Sequence, residues 1–209
     1  MSILDEIAQG VIEGEATKVA DLTKKALDTG VPPLDIINNG LVLGMGKVGE
    51  MFKTGEMFLP EVIFSGDALY AGVGLVKPLL TDGSMPSKGT AVIGTIKGDL
   101  HDIGKNLVGM MLESSGFTVV NLGADVSPES FVQAAKDNNA DIIGCSAMLT
   151  TTMILMPDVI KLLESEGLRN KVKVMIGGAP LSPEYAAKIG ADSYAPDSTT
   201  AVEVANELV

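Results

Sequence analysis

The hydrophobic period of this chain changes once, between residues 80 and 90, and that change restricts its fold more than any other feature. Upstream, Ile37, Leu41, Met45, Val48 and Phe52 recur at spacings of three and four, the stripe of one buried helical face. Gly55 is placed to stop that helix, and Pro60 suits the first turn of the next. Ile3–Val11, Ala16–Leu27 and Val62–Leu80 supply three further amphipathic segments, so residues 1–80 are expected to form an up-and-down four-helix bundle. Thr81–Gly89 is rich in turn residues and has no period, as a linker would.

Downstream, short β-branched runs alternate with helical stretches. Strands are expected at Thr90–Ile96, Phe117–Leu122, Asp141–Cys145 and Val172–Ile176, with a weaker one at Ala191–Tyr194. Helices are expected at Ile103–Ser114, Pro128–Asn138, Met153–Glu166, Pro183–Ile189 and Thr199–Leu208. This alternation predicts an α/β domain over 90–209, a doubly wound, Rossmann-like (flavodoxin-like) five-stranded parallel sheet with helices on both faces. Apolar pairs such as Val119-Val120 and Ile142-Ile143 suit strands buried on both sides. Ligands of such sheets bind beyond the carboxyl ends of the strands, so chemistry is to be sought in the segments that follow them.

Composition removes several functions. A net charge of −12 argues against nonspecific nucleic-acid or anionic-membrane partners. The single cysteine, Cys145, excludes an intramolecular disulfide framework and multi-cysteine zinc or iron–sulfur sites. The longest uncharged stretch, Ile142–Pro157, carries Ser146 and three threonines, so no bilayer-spanning segment is expected. The start, Met1-Ser2-Ile3-Leu4-Asp5-Glu6, lacks the basic region of a signal peptide, and a soluble, cytoplasmic protein is expected. Aromatic residues make up only 4% of a chain with 24 glycines and 11 methionines. Its interior must be filled by aliphatic side chains and methionine, or by something that is not protein.

Three motif resemblances fail on context. Gly44-Met45-Gly46-Lys47-Val48-Gly49 spells the dinucleotide fingerprint but lies within the helical stripe, not between a strand and a helix. Gly98–Asn106 resembles a phosphate-binding loop, yet it has five residues between its glycines instead of four and Asn106 in place of Ser or Thr. A phosphoacceptor receiver domain needs an aspartate after the third strand, where this chain has Gly144-Cys145-Ser146.

The loop after the first strand holds the only histidine, in Asp99-Leu100-His101. The carboxylate can take one imidazole nitrogen and leave the other for a metal. With no second histidine, either carboxylates complete such a site or the metal arrives in a cofactor carrying its own ligands. Gly98 and Gly104 bracket the loop and permit close approach of a large ligand.

Asp99-Leu100-His101-Asp102-Ile103-Gly104 resembles the D-x-H-x-x-G signature of cobalamin-binding domains. The remaining parts of that signature, S-x-L and a glycine pair, match Ser146-Ala147-Met148 and Gly177-Gly178. All three fall at loop entrances, and Met148 for Leu is a nearly volume-conserving departure. Gly46–Leu69, with Val48-Gly49-Glu50-Met51-Phe52 and Gly55-Glu56-Met57-Phe58-Leu59-Pro60, is similar to the helical cap module of methionine synthase. Phe52, Leu59 and Val62 align there with residues that cover the upper face of the corrin ring.

The resemblance implies a base-off cobalamin, with His101 as the lower cobalt ligand in place of the cofactor's benzimidazole. It implies that Asp99 orients His101, that Thr152 stands where the family has a hydroxyl residue, and that Leu100, Asp102, Ile103, Gly104 and Met148 contact the corrinoid. Ser146, Thr150, Gly177 and Gly178 would receive the nucleotide tail. In the family, Co(I) takes a methyl group from a donor and the methylated Co(III) form gains a lower ligand, while a hinge lifts the cap; here the linker would serve. A cap and cobalamin domain without other modules is similar to the stand-alone corrinoid proteins of anaerobic methyltransferase systems. Those are methyl carriers in one-carbon metabolism rather than complete enzymes. The implied partners are a methyltransferase that loads methyl from methanol, a methylamine, a betaine or a methoxylated aromatic, and one that delivers it to tetrahydrofolate or coenzyme M. A reductive activase is a further implied partner. The alternative is a cobalamin-binding sensor or storage protein without turnover.

Overall fold

The computed structural model describes residues 1–80 and 87–209, so most of the expected linker lies outside the described residues. The chain divides into two compact units, Met1–Pro86 and Ser87–Val209.

The first unit is helical: α1 (Ile3–Ile12), α2 (Ala16–Asp28), α3 (Pro33–Ile36), α4 (Leu43–Thr54) and α5 (Leu59–Val76), the last continued by a 3₁₀ turn at Lys77–Leu79. Ser2 starts α1 with a capping box, its hydroxyl accepting the Asp5 N–H while the Asp5 carboxylate accepts the Ser2 N–H. Four of the stripe residues, Ile37, Leu41, Met45 and Val48, are buried as the period requires, and Phe52 is half-buried. The expected single helix through this stripe contains a π-helical segment, Ile37–Val42, joining α3 to α4. Gly40 and Gly44 bring this run close to α1: an added Cβ at Gly44 would lie 2.7 Å from the Ala8 carbonyl oxygen.

One expectation is corrected here. Leu59–Leu79 is 21 residues long and apolar enough to cross a membrane by length and composition. Glu61, Asp67 and Lys77 interrupt this stretch, too sparsely to offset its aliphatic content. In this unit α5 lies along α2 and buries Val62, Ala68, Leu69 and Val76 among other residues.

The second unit is a five-stranded parallel sheet of order β2-β1-β3-β4-β5, formed by β1 (Thr90–Thr95), β2 (Thr118–Asn121), β3 (Ile142–Ser146), β4 (Lys173–Gly177) and β5 (Ser193–Ala195). Alternation along the strands assigns side chains to two layers. Ala91, Ile93, Ile142 and Met175 share one core with α6 (Ile103–Ser114) and α11 (Ser198–Leu208). Val92, Ile143, Val174 and Ile176 share the other with α7 (Pro128–Asp137), α9 (Met156–Ser165) and α10 (Pro183–Ile189). The helix expected over Met153–Glu166 is broken into α8 (Thr150–Met153) and α9, because Pro157 lies in the first turn of α9 and cannot continue a helix from upstream. Strand order reverses between β1 and β3, which makes their carboxyl ends the switch point where ligands bind in doubly wound sheets.

Candidate functional site

The segment from Ile96 to Asp102 leaves β1 at that switch point and is held by backbone and side-chain bonds before α6 begins. Ile96 N–H donates to the Ser146 carbonyl at 2.9 Å, tying the loop to the end of β3. The fully buried Thr95 donates its hydroxyl to the His101 carbonyl at 3.1 Å. Gly98 turns the chain with φ +84, a conformation that suits glycine.

Asp99 is 0% exposed and is the hub of the site. Its Oδ1 accepts the His101 backbone N–H at 3.1 Å and lies 2.7 Å from His101 Nδ1. Its Oδ2 accepts the N–H groups of Met148 (2.8 Å) and Leu149 (3.3 Å) and the Thr152 hydroxyl (2.9 Å). Burial alone would raise the Asp99 pKa, but the Met148 N–H, the His101 ring and N–H and the Thr152 hydroxyl overcome it and hold the carboxyl below its ordinary range. Asp99 is therefore ionised at neutral pH.

With its Nδ1–H donated to this carboxylate, His101 has Nε2 as its unshared nitrogen, on a side chain that is 57% exposed. Leu100, Ile103, Met148, Leu149 and Ile154 expose large apolar side chains in the segments following β1 and β3. An added Cβ at Gly104 would meet nothing within 4 Å. Among the described residues, no cluster of three or more His, Cys, Asp and Glu is arranged around a bare ion. The arrangement offers one nitrogen ligand from an oriented imidazole, beside an exposed apolar surface.

The structure brings Asp99, His101 and Thr152 together from separate loops and joins Met148 to them through its backbone. Thr152 is buried, and its single hydroxyl proton serves either Asp99 Oδ2 or the Leu149 carbonyl, 3.0 Å away. Asp102 precedes α6, where its carboxylate accepts from Asn106 Nδ2 at 3.0 Å. Ser146 ends β3 half-buried, and Thr150 is exposed at the start of α8. The glycine pair meets the protein's own backbone: an added Cβ at Gly178 would lie 1.9 Å from the Ala147 carbonyl oxygen, and one at Gly177 2.9 Å from that of Ala195. Phe52 and Leu59 are half-buried in the helical unit, whereas Val62 is fully buried and already committed to packing.

Several contributors carry no readable motif. Thr95 looks like an ordinary strand residue, and Leu149 acts through its main chain. Lys105 is 4% exposed, and desolvation lowers its pKa against the opposing charge of Asp102. Its ammonium reaches Asn106 Oδ1 (2.5 Å) and Asn121 Oδ1 (2.6 Å), joining the start of α6 to the end of β2. Only the juxtaposition of β1 and β2 makes that bond possible.

A 2-1-3-4-5 sheet with an oriented histidine at its switch point defines an α/β domain suited to a broad, largely apolar ligand. Residues 89–205 match the family profile described as B12 binding domain, and residues 3–77 match a second profile of the same description. A corrinoid protein of Desulfitobacterium hafniense is 44% identical over 100% of this chain and 98% of its own length. The dimethylamine corrinoid protein of Methanosarcina barkeri is 47% identical over 99% of this chain and 97% of its own. Among solved structures, a chain of the methanol:cobalamin methyltransferase complex of Methanosarcina barkeri superposes with TM-score 0.89 and 31% identity, covering 99% of this chain and 79% of that one. The chain belongs to the B12-binding family, and its relatives are corrinoid proteins.

The residues present fit that group. A corrinoid carries four equatorial nitrogens of its own around cobalt, so it asks the protein for one axial donor and an apolar bed. His101 and the exposed apolar side chains of the two loops would supply those.

Proposed function

We propose that this chain is the methyl carrier of a corrinoid-dependent methyltransferase system. The corrinoid would supply the chemistry, a cobalt centre that accepts a methyl group from one partner enzyme and gives it up to another. His101 would be its lower axial ligand in a base-off form, and Asp99 would fix the tautomer and basicity of the imidazole. The observation carrying this reading is the 2.7 Å contact of His101 Nδ1 with a fully buried, fivefold hydrogen-bonded carboxylate. That contact commits Nε2 to whatever lies above the switch point.

Thr152 is suited to proton traffic at this ligand. Its hydroxyl hydrogen-bonds the Asp99 carboxylate, which in turn accepts the His101 Nδ1–H, so the three residues form one hydrogen-bonded chain beneath the ligand nitrogen. Ser146, Thr150, Gly177 and Gly178 would border the nucleotide tail, whereas Leu100, Asp102, Ile103, Gly104 and Met148 would border the ring. Phe52, Leu59 and Val62 enter through the family resemblance, and a corrinoid titration of F52A against wild type tests that part separately.

The similarity to dimethylamine corrinoid proteins and to the methanol complex supports a methylamine or methanol as donor. The partners in this reading are the donor-specific methyltransferase, a methyltransferase acting on tetrahydrofolate or coenzyme M, and a reductive activase. Anaerobic reconstitution with cobalamin, followed by visible and electron paramagnetic resonance spectra, tests the ligation. The Co(II) signal should be split into triplets by one axial nitrogen, and H101Q should abolish that splitting. An unchanged signal in H101Q removes the ligand assignment. Methyl transfer from each donor with its candidate enzyme tests the carrier role, and ligation without methyl transfer from any donor supports a sensor or storage protein instead.

A further inference from the structure

The loop carrying His101 is gripped from outside by a residue that no motif marks. Asp125 lies in the turn between β2 and α7 and adopts φ +58, one of two non-glycine residues with positive φ among the described residues. Its Oδ1 accepts the Gly98 N–H at 2.7 Å. Its own N–H donates to the Asp99 carbonyl at 3.1 Å. One residue thus bonds two consecutive residues of the loop, in opposite donor–acceptor senses.

The turn presenting Asp125 is itself fixed to β1. Leu122 N–H donates to the Ile93 carbonyl (2.8 Å), Thr95 N–H to the Gly123 carbonyl (3.0 Å) and Val126 N–H to the Thr95 carbonyl (2.9 Å). Asn121 Oδ1 adds the Gly123 N–H at 3.0 Å and the Lys105 ammonium at 2.6 Å. A left-handed backbone at a residue with a side chain is uncommon and persists where surrounding bonds over-determine it. Aspartate tolerates it better than most residues and also offers the acceptor that Gly98 requires.

We propose that Asp125 is a positioning residue for His101, acting through the backbone of Gly98 and Asp99 to hold the loop in the conformation that aims Nε2. Its bonds to this loop go to main-chain atoms of Gly98 and Asp99 and not to the imidazole. This rests on the reading of His101 as the axial ligand, and the test separates the two.

Three variants distinguish the parts. D125N keeps an oxygen acceptor and tolerates the backbone; D125G keeps the backbone and loses the acceptor; D125A loses both advantages. In the full chain without corrinoid, amide exchange at Gly98 should accelerate about tenfold or more in D125G and stay within about twofold of wild type in D125N. After loading with cobalamin and reduction to Co(II), D125G should lose much of the axial-nitrogen splitting while D125N retains it. D125G matching wild type in both measurements overturns the proposal, as does D125N losing as much as D125G. Faster exchange with undiminished splitting also overturns it, because the grip would then be dispensable for ligation. If wild type itself shows no axial-nitrogen splitting, the ligand assignment fails. Asp125 is then judged by Gly98 exchange alone: unchanged exchange in D125G refutes the grip, and faster exchange supports its hold on the loop. D125A failing to fold affects neither comparison, since D125G and D125N carry them.

Discussion

The two units differ in the polar groups they bury: among the described residues the helical unit buries hydroxyls, Thr23 and Ser65, whereas the α/β unit also buries charges, Asp99 and Lys105. In the helical unit, Thr23 is 0% exposed and its hydroxyl has no hydrogen-bond partner. In the α/β unit, Asp99 is equally buried, carries a full charge, and is bonded by three backbone N–H groups, an imidazole and a hydroxyl. An orphan hydroxyl in a bundle is a tolerated cost. A charge in the interior is not tolerated without partners. The bonds converging on Asp99 offset the cost of burying its charge, and no buried carboxylate stands among the described residues of the helical unit.

The same contrast governs close backbone contact, and substitutions sharpen it from the largest effect downward. Gly178→Ala, with its Cβ 1.9 Å from the Ala147 carbonyl and φ +129, should cost about 4 kcal/mol in denaturant unfolding, because main chain on both sides must move. Asp99→Ala should cost about 3 kcal/mol, since it leaves buried N–H and hydroxyl donors unpaired. Gly44→Ala brings a Cβ within 2.7 Å of the Ala8 carbonyl between two helices that can separate slightly, and should cost about 2 kcal/mol. Thr23→Val should leave the helical unit about 1 kcal/mol more stable, because it removes an unpaired hydroxyl and keeps the shape. A loss of stability in Thr23→Val would break the comparison.

Acid provides an independent test of the hub. The folded-state pKa of Asp99 lies below its ordinary value of 3.8, so its stabilisation is complete above that value and drains as pH falls through it toward the folded pKa. The stability gap between wild type and Asp99→Asn should therefore be constant near neutrality and narrow below about pH 4. A gap that stays constant into acid would show that Asp99 gains nothing from its partners as an anion.

Much of this is legible in the sequence. The change of period separates helical from α/β sequence, and the placement of Asp99, His101, Ser146, Met148 and the glycine pair at strand ends locates the site. Element ends were less legible: the π-helical segment at Ile37–Val42 preserves the apolar stripe, so periodicity cannot reveal it. The span-length character of Leu59–Leu79 is masked in the sequence by three scattered charges, Glu61, Asp67 and Lys77. At Gly178 the missing Cβ makes way for the Ala147 carbonyl, a close approach that no local pattern records.

Local pattern and residue chemistry determined the fold class, the single histidine and its carboxylate two positions earlier, because these depend on neighbours in the chain. Tertiary structure decided what Asp99 bonds, how Thr152 and Met148 reach it, and why Asp125 grips a loop 27 residues away. Those contacts arise from strand order. Parallel crossovers place the ends of β1, β2 and β3 side by side, and no local period records which strand lies next to which.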